Sequence, residues 1–110
     1  MGEWSVYIIR CDQRSLYTGI STDVARRVGE HLSGGKKAAK YTRTCSSIAL
    51  VYEAFIGSRG LAARIEYRIK RLSREKKECI VSSRFNVDEL MKFINVEPIL
   101  KVRRKPCQKS

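Results

Sequence analysis

The chain has 110 residues, 43% of them apolar, enough for one ordinary core and too few for two, so a single domain is expected. No apolar run reaches the roughly 18 residues a bilayer span requires, and the opening Met1 to Ser5 lacks the basic-then-apolar layout of a secretory signal, which points to a soluble, cytoplasmic protein. Lys and Arg number 23 against 11 Asp and Glu, a formal net charge of +12 and a pI near 10.0; the expected partner is a polyanion, and no segment has the amphipathic pattern suited to a membrane surface.

Taken in chain order, residues 4 to 10 (Trp-Ser-Val-Tyr-Ile-Ile-Arg) and 15 to 20, around Leu16 to Ile20, are short, aromatic and β-branched with a polar stretch between them, the pattern of a β-hairpin. Thr22 and Asp23 offer an N-cap and a first-turn acid for a helix over 24–32, in which Val24, Val28 and Leu32 recur as the apolar stripe. Ser33-Gly34-Gly35 breaks that helix and begins a basic loop through Lys36, Lys37, Lys40, Tyr41 and Arg43. Residues 47–55 read as a third strand. Residues 58–72 carry Leu61, Ile65, Ile69 and Leu72 on one helical face, and Ser73 caps a further short helix reaching Val81. Asn86 to Glu89 is a capping-box pattern opening a last turn or two around Leu90 to Ile94. This order argues for an α+β domain over residues 1–95 with its core at about 4–81, followed by a basic tail over 96–110 with little to pack.

Cys11, Cys45, Cys79 and Cys107 contain no C-x-x-C pair, and the chain has one histidine, so a structural zinc site has little support. Reduced thiols, simply buried, are expected.

Tyr7 and Tyr17 fall in neighbouring strands, and Gly19 follows inside the second, where glycine normally costs stability; its presence suggests a close approach to the backbone. Arg27 and His31, four residues apart, project from one side of the first helix, and Glu66 stands beside the apolar stripe of the second. Side chains alternate across a strand pair, so the tyrosines share a face only if opposed residue numbers sum to an even value. A regular two-residue Asp12-Gln13 turn would put Tyr17 on the wrong face. A shared site therefore predicts an odd loop such as Asp12-Gln13-Arg14, or a bulge. Singly, each residue has a plain structural reading: strand aromatics, a solvated arginine, a helix-surface histidine, a Glu66 paired with Lys70 four residues on, and a solvated loop.

Their joint spacing is more informative. Val6-Tyr7, then Tyr17-Thr18-Gly19, Arg27, His31, and Glu66 followed by Ile69-Lys70, resemble the GIY-YIG nuclease domain, with Ser5-Val6-Tyr7 standing where the family name has glycine, isoleucine and tyrosine. The stretch from Trp4 to about Val81 resembles the small stand-alone bacterial members. The resemblance implies a small three-stranded antiparallel sheet flanked by helices. It further implies a catalytic set of Tyr7, Tyr17, Arg27, His31 and Glu66, with Glu66 also the ligand of one Mg²⁺ or Mn²⁺ ion and Gly19 structural. Asn86 is better read as a helix cap.

Elementary chemistry agrees with these roles. Phosphodiester cleavage needs an activated water and stabilisation of phosphoryl charge; a divalent ion on one carboxylate and a permanently charged arginine supply the second. Either tyrosine can serve as the base, with nearby positive charge lowering its pKa, and His31 can orient it or act itself. The expected function is a divalent-metal-dependent endonuclease on DNA ahead of RNA. It would select structure rather than sequence, since no helix-turn-helix or zinc finger is evident, with a partner protein as a further source of specificity. Lys36, Lys37, Lys40, Tyr41 and Arg43 are the candidate nucleic-acid contacts. The alternatives are a non-catalytic nucleic-acid-binding module on the same scaffold and a basic adaptor for an acidic protein.

Overall fold

The computed structural model describes residues 3–12, 14–33 and 45–96. Three strands and four helices follow one another as β1 (Trp4–Cys11), β2 (Ser15–Ser21), α1 (Val24–Ser33), β3 (Ile48–Gly57), α2 (Arg59–Lys70), α3 (Arg74–Ser83) and α4 (Val87–Phe93). Each of the last three helices starts on a polar cap. Ser58 accepts from the Leu61 amide, Ser73 from the Lys76 amide, and Asn86 and Glu89 close a reciprocal capping box.

The sheet is antiparallel with strand order β2-β1-β3, so the first strand is central. That position accounts for its composition, because a central strand covered on both faces has no side to leave polar. Val6 and Ile8 point to one face, where Tyr52, Ala54, Ile65, Ile69, Ile80 and Leu90 form the main core under α2, α3 and α4. Tyr7 and Ile9 point to the other and pack with Val24, Val28, Tyr17 and Ile48. The β1–β3 register shifts between Ile8 and Ile9, an irregularity of the kind that a bulge introduces.

Two expectations change. Val24 and His31 are the buried residues of α1, while Leu32 is 60% exposed. At about 100° per residue, position 31 returns to within roughly 20° of position 24, whereas position 32 lies about 80° away. Cys11 and Cys45 are joined as a disulfide across 34 residues rather than standing as free thiols, and Cys79 is free. Antiparallel pairing of Cys11 with Ile48 brings Cys45 alongside; nothing in linear spacing announces it. Asp12 reinforces the junction, its carboxylate accepting from the Ser46 and Ser47 amides at 2.8 and 2.9 Å. Cys11, Asp12 and Cys45 also cluster closely enough to suggest a metal group, but the bonded sulfurs are removed as ligands. Among the described residues no helix is long and apolar enough to cross a membrane.

Candidate active site

The hairpin loop sets the geometry of the site. Cys11 pairs with Ser15, so three residues, 12 to 14, form the connection, and Asp12 takes a left-handed backbone with φ 54°. The Arg14 amide donates to the Cys11 carbonyl at 3.0 Å. Opposed residues then sum to an even value, with Ile9 facing Tyr17 and Tyr7 facing Gly19, and both tyrosines project to the α1 side of the sheet.

Gly19 is explained by its cross-strand partner. A Cβ on Gly19 would lie 2.5 Å from the Tyr7 hydroxyl oxygen and 2.6 Å from Cζ, so the phenol lies across the glycine backbone. The approach suspected from the sequence is made by the protein itself. Tyr7 is 1% exposed, and its hydroxyl lies 3.0 Å from Nε2 of His31, which is equally buried. The Tyr17 ring meets the same imidazole edge-on with centroids 5.4 Å apart.

Burial, and then the neighbouring Tyr17, push the Tyr7 phenol up from 10.0 to about 12, although Arg27 works in the opposite direction. His31 is held below its ordinary value by burial first and by the Arg27 charge second, with Glu30 opposing them. With the phenol protonated and the imidazole neutral, the two share one hydrogen bond whose donor is set by the imidazole tautomer. Arg27 also hydrogen-bonds the Tyr7 phenol, and it donates to Glu30 at 2.8 Å. Glu30 accepts from Arg26 as well, at 2.9 Å.

Glu66 enters from α2. Its carboxylate forms an ion pair with Lys70 at 3.2 Å, so the plain pairing read from sequence is present. The same ammonium lies 5.6 Å from the centroid of the Tyr17 ring, which brings the pair to the tyrosines. Glu66 is also close enough to act electrostatically on Tyr7. Tyr7, Tyr17, Arg27, His31 and Glu66 therefore converge. Lys70, read from the sequence only as the ion-pair partner of Glu66, also reaches the site, and Glu30 joins it without having been singled out; its i+3 spacing from Arg27 was the available signal. Lys36, Lys37, Lys40, Tyr41 and Arg43 lie outside the described residues.

The donor set suits a hard divalent cation. One partly exposed carboxylate already holds a cationic group at 3.2 Å, and a small ion such as Mg²⁺ takes one or two carboxylates and completes its shell with water and substrate oxygens.

Residues 3–78 match the family model described as the GIY-YIG catalytic domain. The chain is 44% identical over 101 residues to UPF0213 protein YhbQ of Salmonella typhimurium, covering 92% of this chain and 98% of the relative. It is 50% identical over 82 residues to a UPF0213 protein of Cronobacter sakazakii, covering 74% and 84%. A solution NMR structure of a UPF0213 protein from Bacillus halodurans is 41% identical, covers 88% of this chain and 100% of that one, and superposes with a TM-score of 0.49.

Proposed function

The chain belongs to the GIY-YIG family, and on that premise we propose that it is a divalent-metal-dependent endonuclease that cleaves DNA phosphodiester bonds, selecting structure rather than sequence. The observation that carries this reading is the convergence of a carboxylate, an arginine and two phenols around one buried histidine. A module that only bound nucleic acid would have no use for a carboxylate turned toward phosphate. On this reading the catalytic unit spans residues 1–95, with 96–110 a basic extension, and works in the cytoplasm.

Glu66 would hold one Mg²⁺ or Mn²⁺ ion, which when bound polarises phosphoryl oxygens and stabilises the leaving oxygen. Arg27, permanently charged, neutralises the equatorial oxygens as negative charge builds there. On this reading Tyr7 is a positioning residue rather than the base: its phenol is pushed up to about 12, it is buried, and its hydroxyl is engaged by Nε2 of His31 at 3.0 Å. Tyr17 is half-buried, lies beside the Glu66–Lys70 pair, and is the phenol able to meet the attacking water. His31 packs edge-on against its ring and in turn contacts the Tyr7 hydroxyl.

One observation favours the non-catalytic module instead, namely that Glu66 is already neutralised by Lys70. Cleavage of labelled single-stranded, duplex, flapped and nicked DNA, with an RNA control, in Mg²⁺, Mn²⁺ or EDTA decides between them. Metal-dependent cutting is expected, reduced about 10²- to 10³-fold by Arg27→Ala and abolished by Glu66→Ala, with binding in EDTA retained. Tight binding without cutting in either metal would establish the module.

A further inference from the structure

Edge strand β2 borders a shallow groove that shares Tyr17 and Lys70 with the proposed active site and extends beyond it. It has a volume of about 380 Å³ and is lined by Leu16, Tyr17, Thr18, Lys70 and Lys77. Past Leu16 and Lys77 it continues into a smaller depression that ends at Arg74. No carboxylate lines either part. Lys70 shares its charge with Glu66, whereas Lys77 has no carboxylate within ion-pairing distance among the described residues.

Thr18 supplies a second, independent observation. It is 2% exposed, and its Oγ1 is the one buried side-chain oxygen or nitrogen among the described residues without a hydrogen-bond partner. A buried hydroxyl left unpaired carries a desolvation cost that a valine of the same shape would not. Its position on the wall of a cationic groove gives that cost a purpose if an acceptor enters the groove.

We propose that this groove is a phosphate subsite, in which the Thr18 hydroxyl donates to a non-bridging oxygen of a backbone phosphodiester while Lys77 and Lys70 flank it with positive charge. Because Tyr17 forms one wall, the phosphate held here lies beside the one that is cleaved and sets which stretch of a strand enters the site. Ammonium groups recognise phosphate as point charges and tolerate any base, which fits selection by strand path rather than by sequence. The inference rests on the nuclease reading for the identity of the ligand, but its test does not require cleavage.

Binding of a fluorescently labelled single-stranded 12-mer is measured by anisotropy in EDTA across a salt series, with inorganic phosphate as a competitor. The proteins are wild type, Thr18→Val, Lys77→Gln and, as a control away from the groove on α4, Lys92→Gln; each is also melted. Thr18→Val is expected to melt at or above the wild-type temperature yet bind about tenfold more weakly, with an unchanged salt slope, because it removes a hydrogen bond to a charged group and no charge. Lys77→Gln is expected to reduce the slope of log affinity against log salt by about 0.7, and Lys92→Gln to leave it unchanged. Wild-type affinity in Thr18→Val, or an equal slope change in Lys92→Gln, would overturn the subsite. Displacement of the oligonucleotide by millimolar inorganic phosphate would also overturn it, as a site for free phosphate. Cleavage by wild type with wild-type binding by Thr18→Val refutes the subsite alone; the expected binding pattern with no cleavage refutes the nuclease alone.

Discussion

Gly19 and His31 show how far single residues could be read and where reading stopped. Glycine inside a strand signalled that something approaches the backbone, and the spacing of Tyr7, Tyr17, Arg27, His31 and Glu66 pointed to a group of side chains that the fold brings near one another. That the approaching group is Tyr7 needed the register, because the pair is formed across strands. His31 taken alone reads as a surface residue, yet it is 1% exposed and enclosed by Tyr7, Tyr17, Arg27 and Glu30. Its burial gives a pH signature. The folded-state pKa lies below the ordinary 6.5, so between those two values the unfolded chain binds more protons than the folded one, and stability rises with pH through that window. The melting temperature is therefore expected to fall as pH drops from 7 to 5, since protonation puts a charge on a buried ring beside Arg27. This is the only histidine in the chain, and carboxylates titrate mostly below that window, so the assignment is clean. His31→Tyr, which keeps a ring with a polar edge but removes the imidazole, is expected to flatten the profile; an unchanged slope in that variant would remove His31 as the cause.

At the scale of elements, strands and helices were legible because their periods and caps are local. Ser73 and Asn86 start α3 and α4 where their side chains can satisfy free amides, and requiring two tyrosines on one face left an odd hairpin loop or a bulge, of which the structure has the odd loop. The centrality of β1 and the register shift at Ile8/Ile9 were not legible, since both depend on β3, more than 30 residues away. Nor was the docking of α3. Ile80 is buried in the main core, and Arg10 of β1 grips Glu78 through two bonds of 2.7 and 2.9 Å. The Arg10 hydrogen bond holds the Glu78 carboxyl below its usual range. The side chains retain 22% and 35% exposure, so solvent screens much of the attraction. A double-mutant cycle of Arg10→Met and Glu78→Gln, read by urea unfolding, is expected to give a coupling of about 1 kcal/mol, the upper end for such pairs. Coupling near zero would mean that α3 is held by Ile80 and its apolar neighbours alone.

For the whole molecule the question is what joins the hairpin to the third strand across residues 34–44. Composition identified a small, strongly basic domain, and its net charge of +12 sets self-repulsion against a core of modest size. Spacing could not show that Cys11 and Cys45 meet, because their encounter is a product of antiparallel pairing at the far end of β1. A link across 34 residues removes chain entropy from the unfolded state, worth roughly 4 kcal/mol on the loop-entropy scale. Part of the junction survives without it, since Asp12 still accepts from the Ser46 and Ser47 amides. Dithiothreitol is therefore expected to lower the melting temperature without unfolding the protein at 25 °C, while a Cys11→Ser, Cys45→Ser double variant melts at the lower temperature with or without reductant. If wild type melts identically in both conditions and mass spectrometry finds two free thiols at these positions, the sulfurs are apposed but unbonded, and the Asp12 hydrogen bonds alone hold the hairpin to β3.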